Sequence, residues 1–134
     1  MSQLVKQAII EELTAPFEAL GMKLSSIEGA DYILVTDLAS DMKAMVVNSD
    51  TDNLVITMSV CKESDIKGDK GAFEESLLYL NSAIQPGSMG KVGDKYMLEA
   101  AIHVESKVEL IAAEARGLFT NMSLLSEAVD EFFV

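Results

Sequence analysis

The chain has 134 residues, enough for one hydrophobic core and a single domain spanning 1–134. Apolar residues make up 49%, which excludes wholesale disorder. The net charge of −12 argues against a nucleic-acid or anionic-membrane surface, since both need cations to displace counterions, and the single cysteine, Cys61, excludes an internal disulfide.

Leu4, Val5, Ala8, Ile9, Leu13, Phe17 and Leu20 recur at helical spacing, with Gly21 as a stop. Pro16 interrupts this segment, so either the helix bends there or Thr14 caps a second short turn. The acidic pair Glu11 and Glu12 is unlike a signal peptide, no apolar run reaches membrane-spanning length, and a cytoplasmic protein is expected. The period then changes to two. "MKLSSIEG" and "DYILVTDL" predict two strands around a turn at 28–31, and "KAMVVNS" and "NLVITMSVC" predict two more, giving an antiparallel meander. Ile33-Leu34-Val35 and Val46-Val47 are too continuous for a sheet wet on one whole face, so helices are expected to cover part of it.

After the polar loop "KESDIKGDKG", residues 72–84 predict a helix burying Phe73, Leu77, Leu80 and Ile84, ended by Pro86 and Gly87. "SMGKVGDKYMLEAAIHV" reads as a hairpin turning at Gly93-Asp94. Along its second strand Tyr96, Leu98, Ala100 and Ile102 share one face and Met97, Glu99, Ala101 and His103 the other. Glu99 among apolar neighbours reads as a charge guarding an exposed sheet face. The last helix is predicted from a capping box, Ser106 to Glu109, to about Phe132. Its stripe of Val108, Ile111, Ala115, Leu118, Met122, Leu125, Val129 and Phe132 steps by three and four, with Gly117 as a weak point. Two readings stay open: a long amphipathic helix on its own sheet, or a seam that partly meets another chain. Phe132 and Phe133, beyond obvious cover, point to an intermolecular contact.

The chemical motifs fail on inspection. "PGSMGKVGDKY" has the glycines of a phosphate loop, but Gln85 and Val92 stand where Gly and Ser or Thr are required, and a helix precedes the stretch where one should follow. Asp50 and Asp52 begin a calcium-loop spacing that Leu54, Val55 and Cys61 do not continue. His103 and Cys61 are single residues of their kinds, too few for a zinc site, and no motif joins them as base and nucleophile. No catalytic, cofactor-binding or metal-ligating residue is therefore assigned, and no cofactor is expected. Eight methionines give an adaptable apolar surface or gap-filling in the core.

The element order in a small acidic chain resembles the type III secretion chaperone-like fold, whose members are cytosolic homodimers that bind an extended client segment. A closer likeness lies in "AFEESLLYLNSAIQPGSMGKVGDKYMLEAAIHVESKVELIAAEARGLFTN". Phe73, Leu77, Leu78, Pro86, Ser88, Gly90, Tyr96, Met97, Ala100, Ala101, Ser106, Ile111, Glu114 and Asn121 match the pattern of a family of uncharacterised small acidic bacterial proteins. Gly87 and Glu99-Ala100 depart from it, and the first 70 residues match in element order only. Some members are encoded near proteins resembling phage shock protein A, which implies a membrane-stress context and carries no catalytic residue over.

The expectation is a single α+β domain with an antiparallel sheet: a homodimeric, non-enzymatic protein-binding module, adaptor- or chaperone-like. Its acidic surface would steer basic clients. The alternative is a small enzyme or ligand-binding regulatory domain with a pocket near Cys61, Tyr96 and His103.

Overall fold

The computed structural model describes residues 3–48 and 52–134, so the turn that holds Asp50 lies outside the described residues. Helix α1 (Gln3–Ala19) leads into strands β1 (Met22–Ser26), β2 (Ile33–Asp37), β3 (Lys43–Asn48) and β4 (Asn53–Lys62). Helix α2 (Lys70–Asn81), strands β5 (Ser88–Val92) and β6 (Lys95–His103), and helix α3 (Val108–Val129) complete the order. This is the α+β architecture expected, with the meander and the hairpin in one antiparallel sheet. The strand order is β1-β2-β3-β4-β6-β5, so the hairpin joins through its second strand and β5 becomes an edge.

Strand parity sorts the sheet into two faces. Leu24, Val35, Ala44, Val46, Ile56 and Leu98 point to one side, where they meet Phe17 of α1, Phe73 of α2 and the stripe of α3 in a single core. Ile111, Ala115, Leu118, Met122, Leu125 and Val129 are buried there, so the heptad-like stripe is spent within the chain. Each of these side chains larger than alanine contributes roughly 1.5–3 kcal/mol on burial, together far more than the ~1 kcal/mol that Gly117 costs the helix. Phe132 and Phe133 are half-buried: their rings stand edge-on to Phe73 at 5.4 and 5.8 Å. They form an aromatic cluster with Phe73 inside the chain and keep part of their surface open to solvent.

Several element ends differ from expectation for local reasons. Helix α1 runs unbroken past Pro16, and Thr14 bonds back to the carbonyl of Ile10, so it caps nothing. Helix α2 starts two residues early because the Asp69 carboxylate accepts the amides of Gly71 and Ala72. It also stops at Asn81, well before Pro86 and Gly87. The capping box at Ser106 does not form: Lys107 is the N-cap, without a side-chain bond, and the Ser106 amide donates to the carbonyl of His103. At the hairpin, Gly93 takes φ 62°, as its two-residue turn requires.

Two features pin loops onto helices. Lys6, only 1% exposed, donates from Nζ to the carbonyls of Ile27 at 2.9 Å and Ala30 at 2.7 Å, tying α1 to the β1–β2 turn. The loop after α2, with its cis Gln85–Pro86 bond, lies on α3. Asn121 Nδ2 donates to the Pro86 carbonyl at 2.8 Å, and a Cβ on Gly117 would stand 2.6 Å from Pro86 Cδ. The glycine that weakens α3 as a helix is thus what admits the loop. Gly117→Ala is expected to destabilise the protein by about 1–2 kcal/mol in urea titrations, because the overlap with a rigid ring exceeds the gain in helix propensity. A more stable variant would show that the loop is not held against the helix.

Candidate interaction surface and the Tyr96 corner

All three helices pack on one side of the sheet, as the core residues they share show. The other side carries the opposite parity: Leu34, Met45, Val47, Val55, Met97 and Ala101, with Thr57 and Glu99 among them. Leu34, Met45, Val47 and Val55 are half-buried, and no helix of the described residues lies over them. Cross-strand pairing makes the patch continuous, with Leu34 opposite Met45, Met45 opposite Thr57, and Val47 opposite Val55. At its centre Thr57 Oγ1 donates to Glu99 Oε1 at 3.2 Å. The exposed-face carboxylate expected at Glu99 is there.

The charge of this face differs from that of the chain. Lys23, Lys43, Lys62 and Lys95 project from the strands on the open side, against Glu99 alone among the strand carboxylates there. Lys62 comes to this side through a bulge: Ser59 pairs with Met97 but Cys61 with Tyr96, so Val60 is the extra residue and parity inverts beyond it. Lys62 then stands directly opposite Lys95.

Tyr96, Cys61 and His103 do not share a pocket. His103 lies seven residues from Tyr96 on β6, roughly 23 Å away at about 3.3 Å per residue, and its Nδ1 accepts the amide of Glu105 at 3.1 Å. Cys61 faces the helix side beside Val129 and Phe133, where burial, with Asp65 nearby, pushes its thiol up and keeps it protonated. Tyr96 lines a separate cleft with Glu74, Leu77, Asn81, Met89 and Lys91, of about 140 Å³. That is below the roughly 300–1,000 Å³ of small-molecule sites. Its polar groups satisfy one another. Tyr96 Oη donates to Glu74 Oε1 at 2.7 Å, Lys91 Nζ lies 3.2 Å from Glu63 Oε2 and 5.3 Å over the Tyr96 ring, and Lys70 pairs with Glu63. Burial and the bond to Glu74 push the Tyr96 phenol up, while the same hydrogen bond pulls the Glu74 carboxyl down. Asn81 closes the corner, accepting the Met89 amide at 2.6 Å and donating to its carbonyl at 3.3 Å. Lys91 of the phosphate-loop-like stretch sits on a strand, with no helix N-terminus behind it.

Among the described residues the most buried ion pair is Asp37 with Arg116. The carboxylate is 3% exposed, accepts from Arg116 Nη1 at 2.8 Å and from Ser40 Oγ at 2.6 Å, and joins β2 to α3. The Arg116 guanidinium holds the Asp37 carboxyl well below the usual carboxylate range, with Ser40 adding to it and burial opposing. Among the described residues no His, Cys, Asp and Glu cluster is arranged to hold a metal ion, and no helix is long and apolar enough to cross a membrane.

Residues 6–133 match the family described as uncharacterized protein conserved in bacteria, DUF2170. The chain belongs to this family. No curated protein matches the chain. The residues that carried the likeness in the sequence now have structural places: Phe73 stands edge-on to Tyr96 at 5.0 Å, and Pro86 is held by Asn121. That pattern reports how α2, the loop and α3 lock together. Sequence reading found the open face at Glu99 but not its extent across β2, β3 and β4, although strands apolar at successive positions, with three α-helices among the described residues, were its signal.

Two outcomes follow from this geometry. A carboxyl lowered in the folded state stabilises above its unfolded pKa of about 3.9, and that contribution is lost as pH falls toward the folded value. Arg116→Met is expected to cost about 2–3 kcal/mol at neutral pH, the low end for a broken pair because Arg116 is partly exposed. It should also flatten the loss of stability below about pH 4. Urea titrations across pH check this, and an unchanged acid slope would mean that Arg116 does not hold Asp37 ionised. A raised phenol stabilises below the ordinary tyrosine value of about 10 and loses that contribution as pH rises through the folded value. Ultraviolet titration should show one of the three tyrosines ionising late, and Tyr96→Phe should remove that component at a cost of about 1 kcal/mol.

Proposed function

We propose that this protein is a non-enzymatic protein-binding module, adaptor- or chaperone-like, that docks a protein on its open sheet face. The observation that carries the reading is the joining of the half-buried Leu34, Met45, Val47 and Val55, with Ala101, into one patch over the buried Met97 that its own helices leave uncovered. Contiguous exposed apolar surface marks partner sites in proteins that are otherwise well packed. The Tyr96 corner is small and its polar groups satisfy one another, the hollow of about 370 Å³ beside Cys61 holds no histidine, and Cys61 and His103 lie apart, so these places give less support to a catalytic or ligand-binding reading. The resemblance to type III secretion chaperones adds a cytoplasmic homodimer to the proposal. The likeness to proteins encoded near phage shock protein A adds an envelope-stress setting.

The test uses Met45→Glu and Val55→Glu, with Leu124→Glu on the outer side of α3 as the control. A photo-crosslinking side chain at Val47 would be activated in native lysate. Crosslinked proteins should form with the parent and the control and disappear with both face variants, at unchanged thermal midpoints. Light scattering should give a dimer. The same crosslinks in the face variants would overturn the proposal.

A further inference from the structure

We infer that the open face takes an amphipathic helix of a partner protein, apolar along one side and carrying carboxylates at one end. The inference rests on the docking reading above and names its occupant. The first argument is charge. In a chain of net charge −12, the open side of the sheet carries four lysines and one strand carboxylate. Glu99 is engaged by Thr57. Lys43 meets the exposed Asp41 at 3.1 Å, whereas Lys23, Lys62 and Lys95 make no ion pair among the described residues.

The second argument is placement. Lys23 pairs with Thr36 and Thr36 with Lys43, in a row at the end of the sheet where β1 and β3 begin. Lys62 and Lys95 lie at the same end, where β4 finishes and β6 starts. The apolar pair Val47 and Val55 lies toward the other end. Like charges directly opposite each other on a sheet are destabilising. The Lys62–Lys95 pair, created by the bulge, therefore weakens the isolated fold and is relieved when an anion lies between the two ammonium groups.

The third argument is backbone chemistry. Groups inside a sheet already have their partners, so its face offers only side chains. A strand laid flat on it would leave its own amides and carbonyls unpaired, whereas a helix brings its hydrogen bonds with it. The result is a three-layer arrangement, helix–sheet–helix, with carboxylates over the lysine end and apolar side chains over Met45, Val47 and Val55.

The experiment is selection from a displayed library of helical peptides about three turns long, with surface charge randomised, on the full chain. The parent should enrich net-acidic peptides. Their binding should weaken tenfold or more in a Lys62→Glu/Lys95→Glu double variant of unchanged thermal midpoint, should weaken with added salt, and should vanish in Met45→Glu. A neutral or basic pool that still depends on Met45 would overturn the acidic occupant and leave the docking reading standing. A pool indifferent to Met45→Glu, or no pool at all, would sink both. A dimer in light scattering that Met45→Glu dissolves would assign the face to a second copy, and a single-stranded oligonucleotide bound as tightly would assign it to nucleic acid; either result overturns the inference.

Discussion

The fold depends on where α3 lies. Eight apolar side chains from Ile111 to Val129 leave water together, and they do so against the middle of the sheet, at β4 and β6. Once that contact is made, the remaining pieces have fixed places around it. Helix α1 packs beside α3 over β1, α2 closes the other flank over β5, and the chain end returns to cover Phe73. Polar contacts then fix the position of α3: Arg116 to Asp37 at the β2 end, Asn121 to Pro86 at the loop.

Placing every helix on one side has a cost that the composition already implied. A sheet of six strands has two faces, and three helices can cover one. Fully solvated second faces are usually polar. Here the uncovered side keeps Leu34, Met45, Val47 and Val55, and the half-buried state of each is supplied mainly by its neighbours on the sheet. The chain-wide negative charge is held by helices and loops, so net charge is a poor guide to what this side would meet.

Much of the architecture was legible because its signals are local. Period-two alternation marks β1 to β4, Gly93-Asp94 marks the hairpin, and the spacing from Ile111 to Val129 marks the buried side of α3. Contacts between residues far apart in sequence were not legible. Nothing about Lys6 in the sequence separates it from a solvated lysine, yet two carbonyls of a distant turn bury it. Gly117 reads as a flaw in a helix until Pro86 is placed against it. The candidate face was half legible: Glu99 and its neighbours follow from alternation along β6, but the lysine end follows only once the β4–β6 register is known.

That register has one more consequence. Without the extra residue at Val60, Cys61 would project from the open side and Lys62 would turn toward α3. The insertion exchanges a thiol for an ammonium at that spot and tucks the sulfur against Val129 and Phe133. The open face is thereby kept free of the chain's one thiol, so no disulfide can form through it, and the sulfur it does carry is in the thioethers of Met45 and Met97.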